Sequence, residues 1–203
     1  MFESKKLLSL LLVVSAVGTV APRDILVEFK GAYFKPTGKR FKHIYKGGAL
    51  YGPEFTVQLS ECSDHWYGFL SVDYYSKKGY SIGLHNPTKV SLLPIGIGIK
   101  YFVPSCWWNN TDFYVGLGFQ PIRVHTHDFS PFVIPKITKW AFGGIAKAGA
   151  YINFSCNFFL DLFIDYSFAR ASSKQALALT GPVVPLRSSV SGVIFGAGLG
   201  YRF

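Results

Sequence analysis

Nine charged residues fall on one side of a two-residue alternation whose other side is apolar. They are Glu28, Lys30, Glu54, Asp73, Lys100, Lys147, Asp161, Asp165 and Arg202. Five acids face four bases, close to balance. Gathered away from water they would pair with one another, because a lone buried charge is costly. The same residues could also line a proton or ion path. A second group is basic throughout. Lys35, Lys39, Arg40, Lys42 and Lys46 stand within twelve residues, interleaved with Phe41, Ile44 and Tyr45 and with no acid among them. Such a segment attracts phosphate, sulfate and carboxylate groups. Lys77, Lys78, His85 and Lys89 extend this character, as do Arg170, Lys174 and Arg187.

The remaining chemistry is sparse. His125 and His127 sit two residues apart, so on an extended segment they share a face that could offer a metal two nitrogens. Asp128 follows in the same loop, but the spacing alone is a weak signal, and the pair reads as solvent-exposed, with no metal or other cofactor expected. His85 with Ser81, or His125 and His127 with Ser130, supply parts of a hydrolytic site. No G-x-S-x-G nucleophile turn accompanies them. No catalytic residue is assigned. Cys62, Cys106 and Cys156 form an odd set, which points to an unpaired or intermolecular thiol beside any single disulfide.

These side chains need a scaffold, and the alternation supplies it. From Ser189 to Phe203 the odd positions include Val193, Phe195, Leu199, Tyr201 and Phe203; the even ones are mostly glycines, closing with Arg202. Bulk lies on one face, and small or charged groups on the other. A strand in a soluble sheet would bury the bulk; here the small and charged face suits a narrow interior. The pattern recurs, giving eight strands at 24–34, 50–60, 65–76, 90–103, 112–123, 138–153, 157–169 and 189–203. Each is near or above the roughly 9–11 residues with which a tilted strand crosses a hydrocarbon layer. Lipid leaves no open sheet edge satisfied, so the strands are expected to close into an all-β, eight-stranded antiparallel up-and-down transmembrane barrel over residues 24–203. Its interior would be just wide enough to be filled by side chains. The intervening segments alternate: 61–64, 104–111 and 154–156 are short, while 35–49, 77–89, 124–137 and 170–188 are longer. That asymmetry fits short periplasmic turns and long external loops.

Composition agrees. Apolar residues make up 49% and charged residues 16% of the 203, too apolar for disorder. Lys5 and Lys6, an apolar run from Leu7 to Val14 and then small residues read as a secretory signal over 1–21, cleaved after Gly18 or Ala21.

On these features the chain resembles the small eight-stranded outer-membrane barrels of Gram-negative-type bacteria, the opacity-type porin family and the barrel of the outer-membrane protein A family. The resemblance rests on strand number, face inversion and the closing Gly196-Ala-Gly-Leu-Gly-Tyr-Arg-Phe203. It implies that Leu199, Tyr201 and Phe203 are read by the barrel-assembly machinery. It further implies residence in the bacterial outer membrane as a monomer, contact of the basic loops with lipopolysaccharide, and an adhesin-like affinity for sulfated host glycans. Nucleic acid is not an expected partner. The cysteines would face the oxidising periplasm, compatible with the cysteine-linked envelope of a chlamydia-like bacterium. A lipid A-modifying enzyme and a small solute channel are the alternatives. Against the enzyme, the H-x-S-N pattern of barrel deacylases is missing.

Overall fold

The computed structural model describes residues 24–38, 46–60, 63–80, 87–103, 110–128, 136–175 and 184–203. The expected signal segment therefore lies outside the described residues, as do Lys39, Arg40, Lys42, Cys62 and Cys106. Among those described, no helix is long and apolar enough to cross a membrane.

The strands are β1 (Ile25–Pro36), β2 (Gly48–Ser60), β3 (Ser63–Val72), β4 (Tyr74–Tyr80), β5 (Pro87–Val103), β6 (Thr111–Phe119), β7 (Ile122–Asp128), β8 (Lys136–Asn153), β9 (Phe158–Gln175), β10 (Val184–Ser189) and β11 (Gly192–Arg202). They make eight staves, because three pairs are single strands broken for a residue or two with no change of register. Val72 pairs with Ile95 before the β3–β4 break, and Tyr75 pairs with Leu92 after it, in unchanged register. Within the gap, the Asp73 amide still donates to the Pro94 carbonyl at 3.0 Å. The β6–β7 break falls at Pro121, which has no N–H to give, yet its carbonyl accepts from Ile95 at 2.9 Å. At the β10–β11 break the Val190 amide donates to Ala169 at 3.0 Å.

Each stave pairs antiparallel with the next, and β11 returns to pair with β1 from Leu26↔Arg202 to Pro36↔Gly192. The sheet therefore has no free edge along its staves. Cross-strand partners lead from Leu26 through Thr56, Phe69, Gly98, Gly118, Ile145, Ser167 and Gly192 to Pro36, a stagger of ten residues. With ordinary strand spacings, that stagger tilts the strands by about 41°.

The staves are longer at the loop end than alternation indicates. The third runs to Tyr80, the fifth to Asp128, the seventh to Gln175, and the fourth begins at Pro87. One consequence is a correction: His125 and His127 belong to strand β7, paired on both sides, and Asp128 ends that strand, paired with Thr88, so none of the three lies in a loop.

The inversion of faces is explicit. Phe29, Ile97, Leu117, Leu199 and their neighbours point outward, with Leu117 66% and Leu199 62% exposed, while Glu54, Lys100 and Asp161 are wholly buried inside. The interior has three layers. Nearest the short turns, Tyr67, Phe102, Tyr114, Tyr151 and Phe159 pack edge-on and tilted, with centroids 4.5–5.9 Å apart. The charged residues occupy the middle. Toward the long connections, Phe34, Leu50, Tyr75, Leu92, Ile122, Val190 and Ile194 form an apolar layer. Bulky apolar side chains inside the loop half were not expected from a face that otherwise reads as glycine and charge. The gap among Phe34, Leu50, Leu92, Ile122, Val190 and Ile194 holds about 10 Å³, room for at most one water. Glycines let the wall come close: a Cβ on Gly98 would meet the Leu117 carbonyl and the Gly118 Cα.

Candidate functional site

The interior charges converge on Glu54. Lys30 and Lys147 each donate to its Oε2 at 3.0 Å, and Lys100 pairs with its other oxygen. Lys147 also donates to Asp165 at 2.8 Å. Lys30 lies 3.1 Å from Asp161 and 3.4 Å from Glu28. Asp73 is buried beside Gly52. Two tyrosines that alternation places inward, but whose role the charge pattern does not reveal, complete the set. The Tyr151 hydroxyl accepts from Lys100 at 2.6 Å and donates to Glu28 at 3.0 Å, and the Tyr114 hydroxyl donates to Asp161 at 3.0 Å. Aromatic faces take the remaining cationic surface: Lys30 Nζ lies 4.5 Å from the Phe163 centroid and Lys100 Nζ 4.4 Å from that of Tyr114. The ninth charge departs from the expected grouping. Arg202 stands at the mouth beside the short turns, 3.4 Å from Asp112, with side-chain exposures of 30% and 43%. It is excluded from the buried cluster because its strand ends there. The core cluster therefore holds five acids and three lysines, welded across most of the staves. With aromatic and apolar layers on either side, it is a plug.

The loop end carries the opposite character. Lys35 is exposed at the end of β1, and Lys46 is exposed just before β2 with a left-handed φ of 55°. The outer wall of β4, β5, β7 and β8 is ordered in rows. Lowest, Leu93, Arg123 and Trp140 are successive cross-strand partners. Above them run Ser76, Ser91, His125 and Thr138. The two serine hydroxyls are 3.4 Å apart, and His125 Nδ1 is 2.8 Å from Thr138 Oγ1. Above these, the register runs Lys78, Lys89, His127 and Lys136. The Ser–His row contains no carboxylate to orient an imidazole, so it is an incomplete relay. Among the described residues no cluster could hold a metal ion.

At the other end, Leu199 and Phe203 face outward, and Tyr201 packs on Phe158 and Phe203 with centroids 5.0 and 4.7 Å away. The Phe203 amide donates to the Ile25 carbonyl at 2.9 Å, tying the last residue to the first strand. Cys156 is a free, exposed thiol in the short turn before β9.

No protein-family model matches the chain, and no curated protein does. Solved structures do. Neisserial surface protein A superposes with a TM-score of 0.59 at 16% identity, over 88% of this chain and 97% of that one. The outer membrane protein OprG of Pseudomonas aeruginosa gives 0.61 at 16%, over 89% and 95%. The fold is that of the small outer-membrane barrels. A third example is the attachment invasion locus protein Ail of Yersinia pestis, solved in complex with the heparin analogue sucrose octasulfate. It matches at 0.51 and 14%, over 89% of this chain and 97% of that one.

Proposed function

We propose that this protein is a monomeric bacterial outer-membrane barrel with an adhesin-like role, whose loop end binds anionic glycans at the cell surface. The observation that carries the reading is charge segregation. Residues 35–46, 77–89, 123–139 and 170–187, the longer connecting segments read from the sequence with the strand ends beside them, hold fourteen of the 21 lysines and arginines and one of the 11 acids. Most of the other acids are spent inside the barrel against lysines or lie toward the short turns. A surface this one-sided raises the local concentration of sulfate and phosphate groups. The lipid-facing belt and the closed sheet support residence in the membrane. The packed interior favours a binding role over solute passage. The complex of Ail with a heparin analogue shows that a barrel of this fold can carry such a ligand. No enzymatic step and no cofactor belongs to the proposal.

Retention on immobilised heparin tests it. The refolded barrel is expected to bind and to elute with salt. Neutralising Lys35, Lys39, Arg40, Lys42 and Lys46 to glutamine should abolish retention while leaving heat-modifiable gel migration intact. Unchanged retention would remove loop one from the site and the adhesin-like reading with it.

A further inference from the structure

The plug does not balance its own charge. Glu28, Glu54, Asp73, Asp161 and Asp165 bring five buried carboxyls, and Lys30, Lys100 and Lys147 bring three ammonium groups. Five less three leaves two negative charges in excess if every group is ionised. Arg202 does not offset them, because it pairs with Asp112 at the mouth. The aromatic layer closes one side of the plug, and the gap in the apolar layer on the other side holds about 10 Å³, too little for a hydrated ion. Excess charge in such a place is removed by taking up protons, since a neutral carboxyl escapes most of the cost of burial.

The bonding pattern says where one proton sits. Glu54 engages all three lysines, Asp165 engages Lys147, Asp161 engages Tyr114 and Lys30, and Glu28 engages Tyr151. The Asp73 carboxyl is buried like them, yet among the described residues it makes no ion pair and no hydrogen bond. It stands where the third stave is interrupted, with its amide bonded to Pro94 of β5 and its Cα against Gly52 of β2. The charges that act on it are Lys147 of β8, Glu54 of β2, Lys30 of β1 and Asp165 of β9. Two are acids and two are bases, and both lysines already bond other carboxylates. Its own stave adds Ser71 and the phenol of Tyr75, and β5 adds Pro94 and Gly96, all uncharged at neutral pH. Glu28 Oε2 and Asp165 Oδ1 are also buried without a donor, and they offer the second position.

We propose that the folded barrel holds two protons inside the plug at neutral pH, one of them on Asp73, and takes them up as it folds. In the unfolded chain all five carboxyls are ionised at neutral pH. The folded state then binds more protons than the unfolded one, so stability falls as pH rises. With two protons the folding constant drops about 100-fold for each pH unit near neutrality. The inference is independent of glycan binding by the loops. Its test counts protons with an indicator dye while the full barrel refolds from urea, at neutral pH and in weak buffer, into phosphatidylcholine vesicles. The wild-type barrel is expected to take up about two protons and Asp73→Asn about one, because the amide stands in for the neutral acid. One pH unit above neutrality the variant should unfold at a urea concentration no lower than the wild type does. No net uptake by the wild-type barrel overturns the proposal, and so does a wild-type urea midpoint that ignores pH near neutrality; neither needs a variant to fold. Undiminished uptake by Asp73→Asn, or its failure to fold, overturns it as well, since the ionised group would then be the one the structure requires.

Discussion

Replacing Glu54 by glutamine probes the plug most directly. The change keeps the shape of the side chain and deletes the charge on which three buried lysines converge. Removing one partner of a buried ion pair costs about 3–5 kcal/mol, because the other partner stays buried and less compensated. The structure argues for the low end of that range. Lys147 keeps Asp165 at 2.8 Å, Lys100 keeps Tyr151 at 2.6 Å, and Lys30 keeps Asp161 at 3.1 Å. A loss of about 3 kcal/mol, at a urea dependence of about 2 kcal/mol per molar, lowers the unfolding midpoint by about 1.5 M. The assay is urea unfolding from phosphatidylcholine vesicles, followed by tryptophan fluorescence and by gel migration. The rim pair is the internal comparison. Asp112→Asn removes the partner of Arg202, but both side chains are well hydrated, so the cost is about 0–1 kcal/mol. A Glu54→Gln midpoint equal to that of the wild type, or an Asp112→Asn shift exceeding it, would refute the view that the buried cluster holds the staves together.

Two other perturbations follow from wall and terminus. Gly98→Val sets a branched side chain against the Leu117 carbonyl and the Gly118 Cα, so the folded, heat-modifiable fraction after refolding should fall sharply, whereas Gly31→Ala, with only an ordinary contact at 4.0 Å, should be tolerated. Deleting Phe203 should lower the amount of barrel assembled in cells, measured in isolated outer membranes. Refolding into detergent should barely change, because the closed sheet loses one terminal backbone hydrogen bond to Ile25 and one ring contact with Tyr201 at its exposed end.

The legible part of the sequence was the part that lipid polices. Ile97, Leu117, Leu162 and Leu199 must face hydrocarbon, so period-two alternation survives wherever the chain crosses it, and it located all eight staves. It fails above the membrane. Lys77 and Lys78 are both exposed though adjacent, water bathing both faces of β4 there, so the pattern ends before the strand does. For the same reason His125 read as loop although it is paired on both sides. Inside, charges were visible because they are rare on the small face, whereas the bonding roles of Tyr114 and Tyr151 were not, since nothing in the alternation tells a tyrosine that bridges charges from one that only packs. Arg202 shows the limit of facing alone: alternation gives the side of the wall, and only the stagger says how far along the barrel a residue lies. The basic register row from β4 to β8 is of the same kind. Its four members are scattered from position 78 to position 136 and become neighbours through register.

Closure between Ile25–Pro36 and the final eleven-residue strand has a consequence for the life of the chain before it is finished. Nearly the full length must be synthesised before the opening strand meets its second partner. Until then, seven staves would expose two unsatisfied, sticky borders, each a template for aggregation. A premature stop after Val190 would yield not a slightly smaller cylinder but an adhesive sheet. The cylinder therefore cannot close until the strand that pairs with Ile25–Pro36 has been made.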